Sequence, residues 1–497
     1  MPSDDRIGAA APGPTPATAP QRVHFGKQPV PSNTGPVAAL VARARAAQAL
    51  AEQYDQQRVD ELVAAAAWAI LEPGRNRALA ELAVSDSGIG NVEDKVRKNH
   101  RKTLGLLRDL HGARSVGVIA EHPERGLVEI ARPVGVVCAI TPSTNPAATP
   151  ANKIINALKC RNAVIVAPSP KGWRTAQALI GHIHAEFERI GAPPDLVQLL
   201  PAPVSKDATA ELMRRCDLVV ATDSQANVRA AYASGTPAFG FGAGNFASII
   251  DETADPERAV ALLLQSKTFD YATSCSSENS LVVVAAARAA VLRALERQGA
   301  ALLDAHAKAQ LQALMWSDGH LSQAVIGQSA ATIAALCGLT AVCLRTDLRA
   351  LVVEETGFGP DHPFSGEKLS PVLTLYTAAD FDAALDTVRR IYAWQGAGHS
   401  VGLHSRRDER ALQLGLTLPV ARVIVNQAHA IATGGSFDNG LPFSLSMGCG
   451  TWGRNNFSEN MNYRHYMNVT RIVRTIDERT PALEDLLGTY FARYGRA

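Results

Sequence analysis

Long apolar runs are missing from this chain. None reaches the ~20 residues needed to span a bilayer, so no membrane partner is expected. Cysteine is scarce: seven residues in 497, with no C-x-x-C pair, argue against a disulfide framework and a cysteine-rich zinc site. No H-E-x-x-H or EF-hand pattern occurs either, so no metal is expected. An excess of one charge is also lacking. Lys+Arg number 49 against 47 Asp+Glu, a formal net charge of +2, which gives no electrostatic case for nucleic acid. The first residues, MPSDDRIGAAAPGPTPATAPQ, contain no apolar stretch of secretory type. Free thiols in odd number suit a reducing, cytoplasmic compartment.

What remains is an ordinary globular composition, 46% hydrophobic and 19% charged. The length allows roughly two to four domains. Residues 1–36 read as a flexible Pro/Ala-rich arm, or as one that drapes over a partner subunit. Helices are expected at 37–53 and around Val59, Leu62, Val63, Ala66 and Ile70, the latter stopped by Pro73-Gly74. A helix at 91–110 carries Lys95, Arg97, Lys98, Arg101 and Lys102, a run expected to form a solvated face. Residues 114–131 read as a β-hairpin.

From Val134 the rhythm becomes strand, helix, strand, helix. Apolar strands are expected at 134–141, 163–167, 196–200 and 218–221, with helices between them. Such alternation predicts a parallel sheet covered on both faces, with any nucleotide at the carboxyl ends of the strands. The usual glycine fingerprint is absent, however. The first strand–helix turn reads TPSTNPAATP, without glycine, and GFGAG at 240–244 does not open a helix where a phosphate loop should. A second alternating unit starts near Asp251, and residues 463–473 turn β-like.

Within that unit lies SKTFDYATSCSSENSLVVV. Cys275 sits among Thr273, Ser274, Ser276 and Ser277, between a helical and a strand-like segment. A thiol on such a small-residue turn can be approached by a substrate, which a nucleophilic cysteine requires. A small buried thiol is the other reading of the same residue.

Five separated stretches occur in the order found in the aldehyde dehydrogenase superfamily: RPVGVVCAITPSTNPAATP, AAYASGTPAFGFGAGNFASIIDETAD, SKTFDYATSC, GEKLSPVL with GAGHS, and SMGCGTWGRNNFSEN. They span roughly residues 40–475 and resemble its coenzyme A-acylating branch. The resemblance implies an α/β fold with two parallel-sheet domains plus a β-hairpin oligomerisation element. The expected limits are 37–250 for a nucleotide-binding domain, 251–440 for a catalytic thiol domain and 441–475 for a return segment. It makes Cys275 the nucleophile and Asn145 the oxyanion-hole donor. Glu367 would hold the nicotinamide ribose. His399 would be an acid/base for the coenzyme A thiol, or a core histidine. His429 and Trp452 are expected to pack. The cofactor would lie against Thr141, Pro142 and Ser143, against Pro168, Ser169 and Lys171, and against Thr222, Ser224 and Gly242.

Departures from the family pattern refine this. No acid occurs between Pro237 and Ile250, where hydrolytic members carry the glutamate that activates water. A thiol needs less activation than water, so transfer to coenzyme A is favoured. No carboxylate occupies the adenosine-ribose segment VAPSPKGW, and Lys171 and Arg174 are near, which favours NADP over NAD. Asp223 would be unfavourable beside a pyrophosphate. Several segments and the tail look most similar to the sulfoacetaldehyde type, which implies a short polar aldehyde. Acetaldehyde and propionaldehyde enzymes of the same type are the alternative. The tail, 476–497, is amphipathic through Leu483, Leu486, Leu487, Tyr490, Phe491 and Tyr494, for docking on its own homodimer or homotetramer or on another protein. A non-catalytic assembly protein is the alternative from another class.

Overall fold

In the computed structural model the residues described are 35–222, 224–241, 244–317 and 319–496. Most of the expected N-terminal arm, Asp223 and Gly242 lie outside them. The helices Pro36–Ala51 and Gln56–Leu71 form as expected. Pro73 ends the second of these and also opens another, Pro73–Ser87, which the stop signal concealed. Proline is tolerated in a first turn because its missing N–H would be unpaired there anyway. Glu72 caps the new helix by accepting from Gly74 N at 3.1 Å and Arg75 N at 2.7 Å.

The hairpin consists of β1 (Gly117–His122) and β2 (Leu127–Pro133), paired antiparallel. Five parallel strands follow: β3 (Val136–Thr141), β4 (Ala163–Pro168), β5 (Val197–Leu199), β6 (Leu218–Thr222) and β7 (Ala238–Phe241). Their order is β5-β4-β3-β6-β7. The chain builds outward from β3 through β4 and β5, then crosses back to lay β6 on the other side of β3. That reversal leaves a crevice at the carboxyl ends of β3 and β6, where open α/β sheets take ligands. All residues of β3 and β4 are buried, which is why they read as unbroken apolar runs. Lys153, on the helix Ala148–Lys159, donates to Ile140 O of β3 at 2.5 Å and Val220 O of β6 at 2.8 Å, tying the crevice floor together.

The second sheet contains β8 (Phe246–Ile250), β9 (Glu278–Val284), β10 (Ala300–Leu302), β11 (Ala350–Glu354), β12 (Val372–Ala378), β13 (Val401–His404) and β14 (Val423–Val425). Its order is β10-β11-β12-β9-β8-β13-β14. The strand Phe246–Ile250 thus pairs with β9 and β13, beyond the domain limit expected at 250. The chain has already left the first sheet at Phe241, and FASII is a fully buried central strand of the second. Finally β15 (Met467–Val473) returns to pair with β2, making the hairpin three-stranded. The architecture is mixed α/β with two parallel sheets and one antiparallel element. Among the described residues, no helix is long and apolar enough to cross a membrane.

Candidate active site

The helix Pro256–Thr268 starts on an Asp255 cap and runs directly to the Cys275 loop. Between them Asp270, Tyr271 and Ala272 have φ of 50°, 52° and 62°, a left-handed turn made without glycine. Such residues cost roughly 1–2 kcal/mol each, so the surroundings must over-determine the turn. Asp270 does this. Its fully buried carboxylate meets Lys98 Nζ at 2.6 Å and Lys95 Nζ at 3.0 Å, and accepts from Asn91 N at 2.9 Å and Thr273 Oγ1 at 2.7 Å. Its own N–H donates to Asp94 Oδ2 at 2.8 Å. Gly90 must stay glycine here, since a Cβ would stand 2.0 Å from Asp270 Oδ1. Despite its burial, Asp270 stays ionised below the usual carboxylate range because the two lysines outweigh desolvation.

The helix Val92–Leu110 supplies those lysines, and the expectation of a solvated basic face is overturned for three of its five residues. Lys95, Lys98 and Lys102 are buried, on the stripe that continues through Leu106 and Leu110, while Arg97 remains outside. Lys98 also fixes Asn145. Its Nζ lies 2.6 Å from Asn145 Oδ1. An ammonium can only donate, so the oxygen of the amide must face Lys98 and the Asn145 NH2 is left to point elsewhere. The same wall contains Ser274 and Cys275. The Asn145 Nδ2 donates to Thr144 Oγ1 at 3.4 Å, which leaves a second N–H for the cavity that Asn145 shares with Cys275.

Cys275, half-buried, opens onto a cavity of about 380 Å³ at the β3–β6 crevice. Of the expected cofactor residues, the cavity brings together Pro142, Ser143, Thr222, Ser224 and Glu367 with Asn145, Cys275 and His399. Thr141 is buried at the end of β3, directly behind this wall. Pro168, Ser169 and Lys171 are not on the cavity wall. They lie on and after the adjacent β4, where Ser169 N donates to Thr141 O at 2.8 Å. Lys171 is exposed, and Arg174 pairs with Asp86 at 3.0 Å. Among the described residues Glu367 is the only acid on the cavity wall. Gly244 packs against the Cys275 backbone, where a Cβ would come 2.5 Å from Cys275 O.

Desolvation, with the Glu367 carboxylate adding, pushes the Cys275 thiol up to about 11, against the Ser276 hydrogen bond and the charge of Lys98. Burial likewise raises Glu367 to about 8, opposed by a Gly244 N–H, Lys267 and Lys368. His399 is buried, with Nδ1 2.8 Å from Ser400 Oγ and Nε2 unpartnered among the described residues. Desolvation holds its imidazole neutral, well below the ordinary histidine value. His429 packs 5.4 Å from Phe246 and its Nδ1 lies 2.9 Å from Ser276 O, so it also braces the thiol loop. Trp452, expected to pack, is instead 53% exposed.

Sequence reasoning missed Lys98, Lys102 and Asp270. A usable signal existed. The spacing 95, 98/99, 102, 106, 110 is one helix face, and its lysines extend a leucine stripe instead of opposing it.

Comparison with known proteins agrees with this geometry. The profile of the Aldehyde dehydrogenase family matches residues 24–312. The acylating sulfoacetaldehyde dehydrogenase of Cupriavidus necator is 66% identical over 470 residues, 94% of this chain and 95% of that one. Its namesake from Bilophila wadsworthia is 40% identical over 460 residues, 91% of this chain and 98% of that one. An acetylating aldehyde dehydrogenase from Geobacillus thermoglucosidasius, solved by crystallography, superimposes with a TM-score of 0.86 at 34% identity, over 90% of this chain and 98% of that one. By sequence and by fold, the chain belongs to the aldehyde dehydrogenase family, among its acylating members.

Proposed function

We propose that this chain oxidises a short polar aldehyde, sulfoacetaldehyde, and passes the acyl group from Cys275 to coenzyme A, with NADP or NAD taking the hydride. The observation that carries acyl transfer over hydrolysis is the make-up of the thiol's surroundings. Among the described residues the one acid on the cavity wall is Glu367, and Gly244 packs against the Cys275 carbonyl. The 66% identity to a sulfoacetaldehyde enzyme supports the substrate.

The crevice fits a dinucleotide. It lies at the strand carboxyl ends, its wall from Pro142, Ser143, Thr222 and Ser224 is short and uncharged, and the buried Thr141 hydroxyl lacks a partner among the described residues. When bound, the nicotinamide supplies the hydride acceptor. Glu367 would hold the ribose hydroxyls. Lys171, exposed after β4, would lie toward the adenosine end, and its charge supports the choice of NADP.

Cys275 as thiolate adds to the carbonyl carbon, and the oxygen becomes anionic. The Asn145 NH2 and the Cys275 N–H stabilise that charge. After hydride loss the thioacyl group remains on Cys275. His399, neutral and with Nε2 unpartnered among the described residues, accepts the coenzyme A thiol proton as that sulfur attacks. Net, one aldehyde, one thiol and one oxidised nicotinamide give one thioester, one reduced nicotinamide and one proton. The three-stranded β1-β2-β15 sheet, with Val473 72% exposed, and the helix Leu483–Tyr494, which has no buried residue, would be the contact surfaces of a homodimer or homotetramer.

The test follows reduced cofactor with sulfoacetaldehyde and NADP or NAD, with and without coenzyme A. Coenzyme A-dependent acyl-CoA formation, abolished in Cys275→Ala, is expected. Coenzyme A-independent turnover to free acid would overturn the reading.

A further inference from the structure

Beyond Asn145, away from the nucleotide crevice, a second cavity of about 450 Å³ reaches the same catalytic wall at Ser274. Its lining is strongly cationic: Arg97, Lys98, Arg101, Lys102 and Arg349 against, among the described residues, a single acid, Asp94. Asp94 is already engaged, accepting from Asn91 Nδ2 at 2.9 Å and Asp270 N at 2.8 Å. Lys98 is also engaged, by Asn145, Asp270 and Thr273.

Lys102 is different. It is only 8% exposed, yet among the described residues its ammonium has one hydrogen-bond acceptor, Gly434 O at 2.7 Å, and no carboxylate. A buried lysine without a counter-ion is rare, because removing an ammonium from water costs several kcal/mol unless an anion compensates. Lys98 and Arg101, on its own helix, add repulsion, and the Cys275 thiol lies within its electrostatic reach. The placement is also fixed, since a Cβ on Gly434 would lie 2.7 Å from Lys102 Nζ. Burial, with Arg101 and Lys98 adding, brings this ammonium down to about 7, and the Phe443 ring 5.5 Å from Nζ is the other contact that favours its charge. A lysine so placed in a cavity wall becomes fully charged when an anion arrives with a ligand.

The position selects which anion. Lys98 orients the amide that would meet the carbonyl oxygen, and Lys102 follows one helical turn later on the same face. With the carbonyl at Cys275 and Asn145, an anionic group one methylene away would be directed to the Lys102 side of Asn145. The exposed Arg97 and Arg349 at the rim draw such a substrate inward. We infer that Lys102 holds the anionic group of the aldehyde substrate, a sulfonate one methylene from the carbonyl carbon, and thereby sets selectivity against neutral aldehydes. This rests on the acyl-transfer reading above and adds the residue that chooses the substrate.

The test compares kcat/KM for sulfoacetaldehyde and for acetaldehyde in the unaltered enzyme, Lys102→Met and Lys102→Arg, with KM for coenzyme A measured alongside. Loss of a charge-assisted contact should lower the sulfoacetaldehyde-to-acetaldehyde ratio roughly 10- to 100-fold in Lys102→Met, and Lys102→Arg should restore most of it. An unchanged ratio, or a raised KM for coenzyme A in its place, would overturn the assignment by giving the site to a coenzyme A phosphate or to no ligand. If Lys102→Met does not fold, inhibition of the unaltered enzyme decides. Ethanesulfonate should compete with acetaldehyde where the neutral ethyl methyl sulfone does not, and equal inhibition by the two would contradict the proposal. If neither aldehyde supports coenzyme A-dependent turnover by the unaltered enzyme, the underlying acyl-transfer reading fails instead.

Discussion

The crevice on the β3–β6 side of Cys275 and the cavity on the side of the Val92–Leu110 helix meet at Asn145 and Ser274, yet they are built from opposite materials. The crevice wall is short and nearly neutral: prolines, serines and threonines at strand ends, with Glu367 as its one described acid. The cavity is lined by long cationic side chains from one helix and from Arg349. Sheet topology makes the first, because crossing from one side of β3 to the other leaves backbone and small residues at the strand termini. A helix face makes the second, with Lys95 and Lys98 pulled inward by a single buried carboxylate, Asp270, and Lys102 buried beyond them without one among the described residues. Asn145 is where the two meet, since its oxygen accepts from Lys98 and its NH2, which donates once to Thr144 Oγ1 at 3.4 Å, keeps a second N–H for the chemistry.

That division can be broken at the junction. Asn145→Ala removes the donor while leaving both walls, and kcat should fall about 10²- to 10³-fold with a much smaller change in aldehyde KM. A change confined to KM would remove Asn145 from the oxyanion hole. Lys98→Met attacks the same amide indirectly and also leaves Asp270 with Lys95 alone. We expect kcat to drop about 10-fold and stability to fall by about 3 kcal/mol, read from the shift in denaturation midpoint at constant m-value. Full activity in a folded Lys98→Met enzyme would show that Asn145 is oriented without it.

The smallest effect tests the crevice side. The raised Cys275 thiol should make alkylation by iodoacetamide speed up about tenfold per pH unit between pH 7 and 10, as the thiolate fraction climbs. Glu367, raised to about 8, becomes an anion above that pH and disfavours the thiolate. Glu367→Gln should therefore accelerate alkylation about threefold above pH 8 and very little at pH 6. Slower alkylation in that variant would reverse the assigned electrostatics.

How far each region could be read in advance follows the same division. Strands such as AVIVA announce themselves because both faces are buried, and the Cys275 loop stands out through its small polar neighbours. Asn145, Glu367 and His399 could be placed through family resemblance, and the fold brings all three to the thiol's cavity. The lysines of 95–102 could not, because a charged run on a helix is ordinarily solvated, and the carboxylate that draws in Lys95 and Lys98 lies about 170 residues away, with |i−j| of 172 for Lys98 and Asp270. Pro73 misled for a local reason, since a proline both stops one helix and starts the next. Strand Phe246–Ile250 was assigned to the wrong side of a boundary because apolar runs carry no mark of which sheet they join.

The central claim is that Cys275 carries the acyl group and releases it to a thiol in preference to water. Mass spectrometry of the intact protein and of its Cys275 peptide, after mixing with sulfoacetaldehyde and oxidised cofactor but no coenzyme A, tests this directly. The account predicts an acyl adduct on Cys275 that persists and then discharges on adding coenzyme A. Rapid release of free acid with no adduct, or an adduct on another residue, would contradict it.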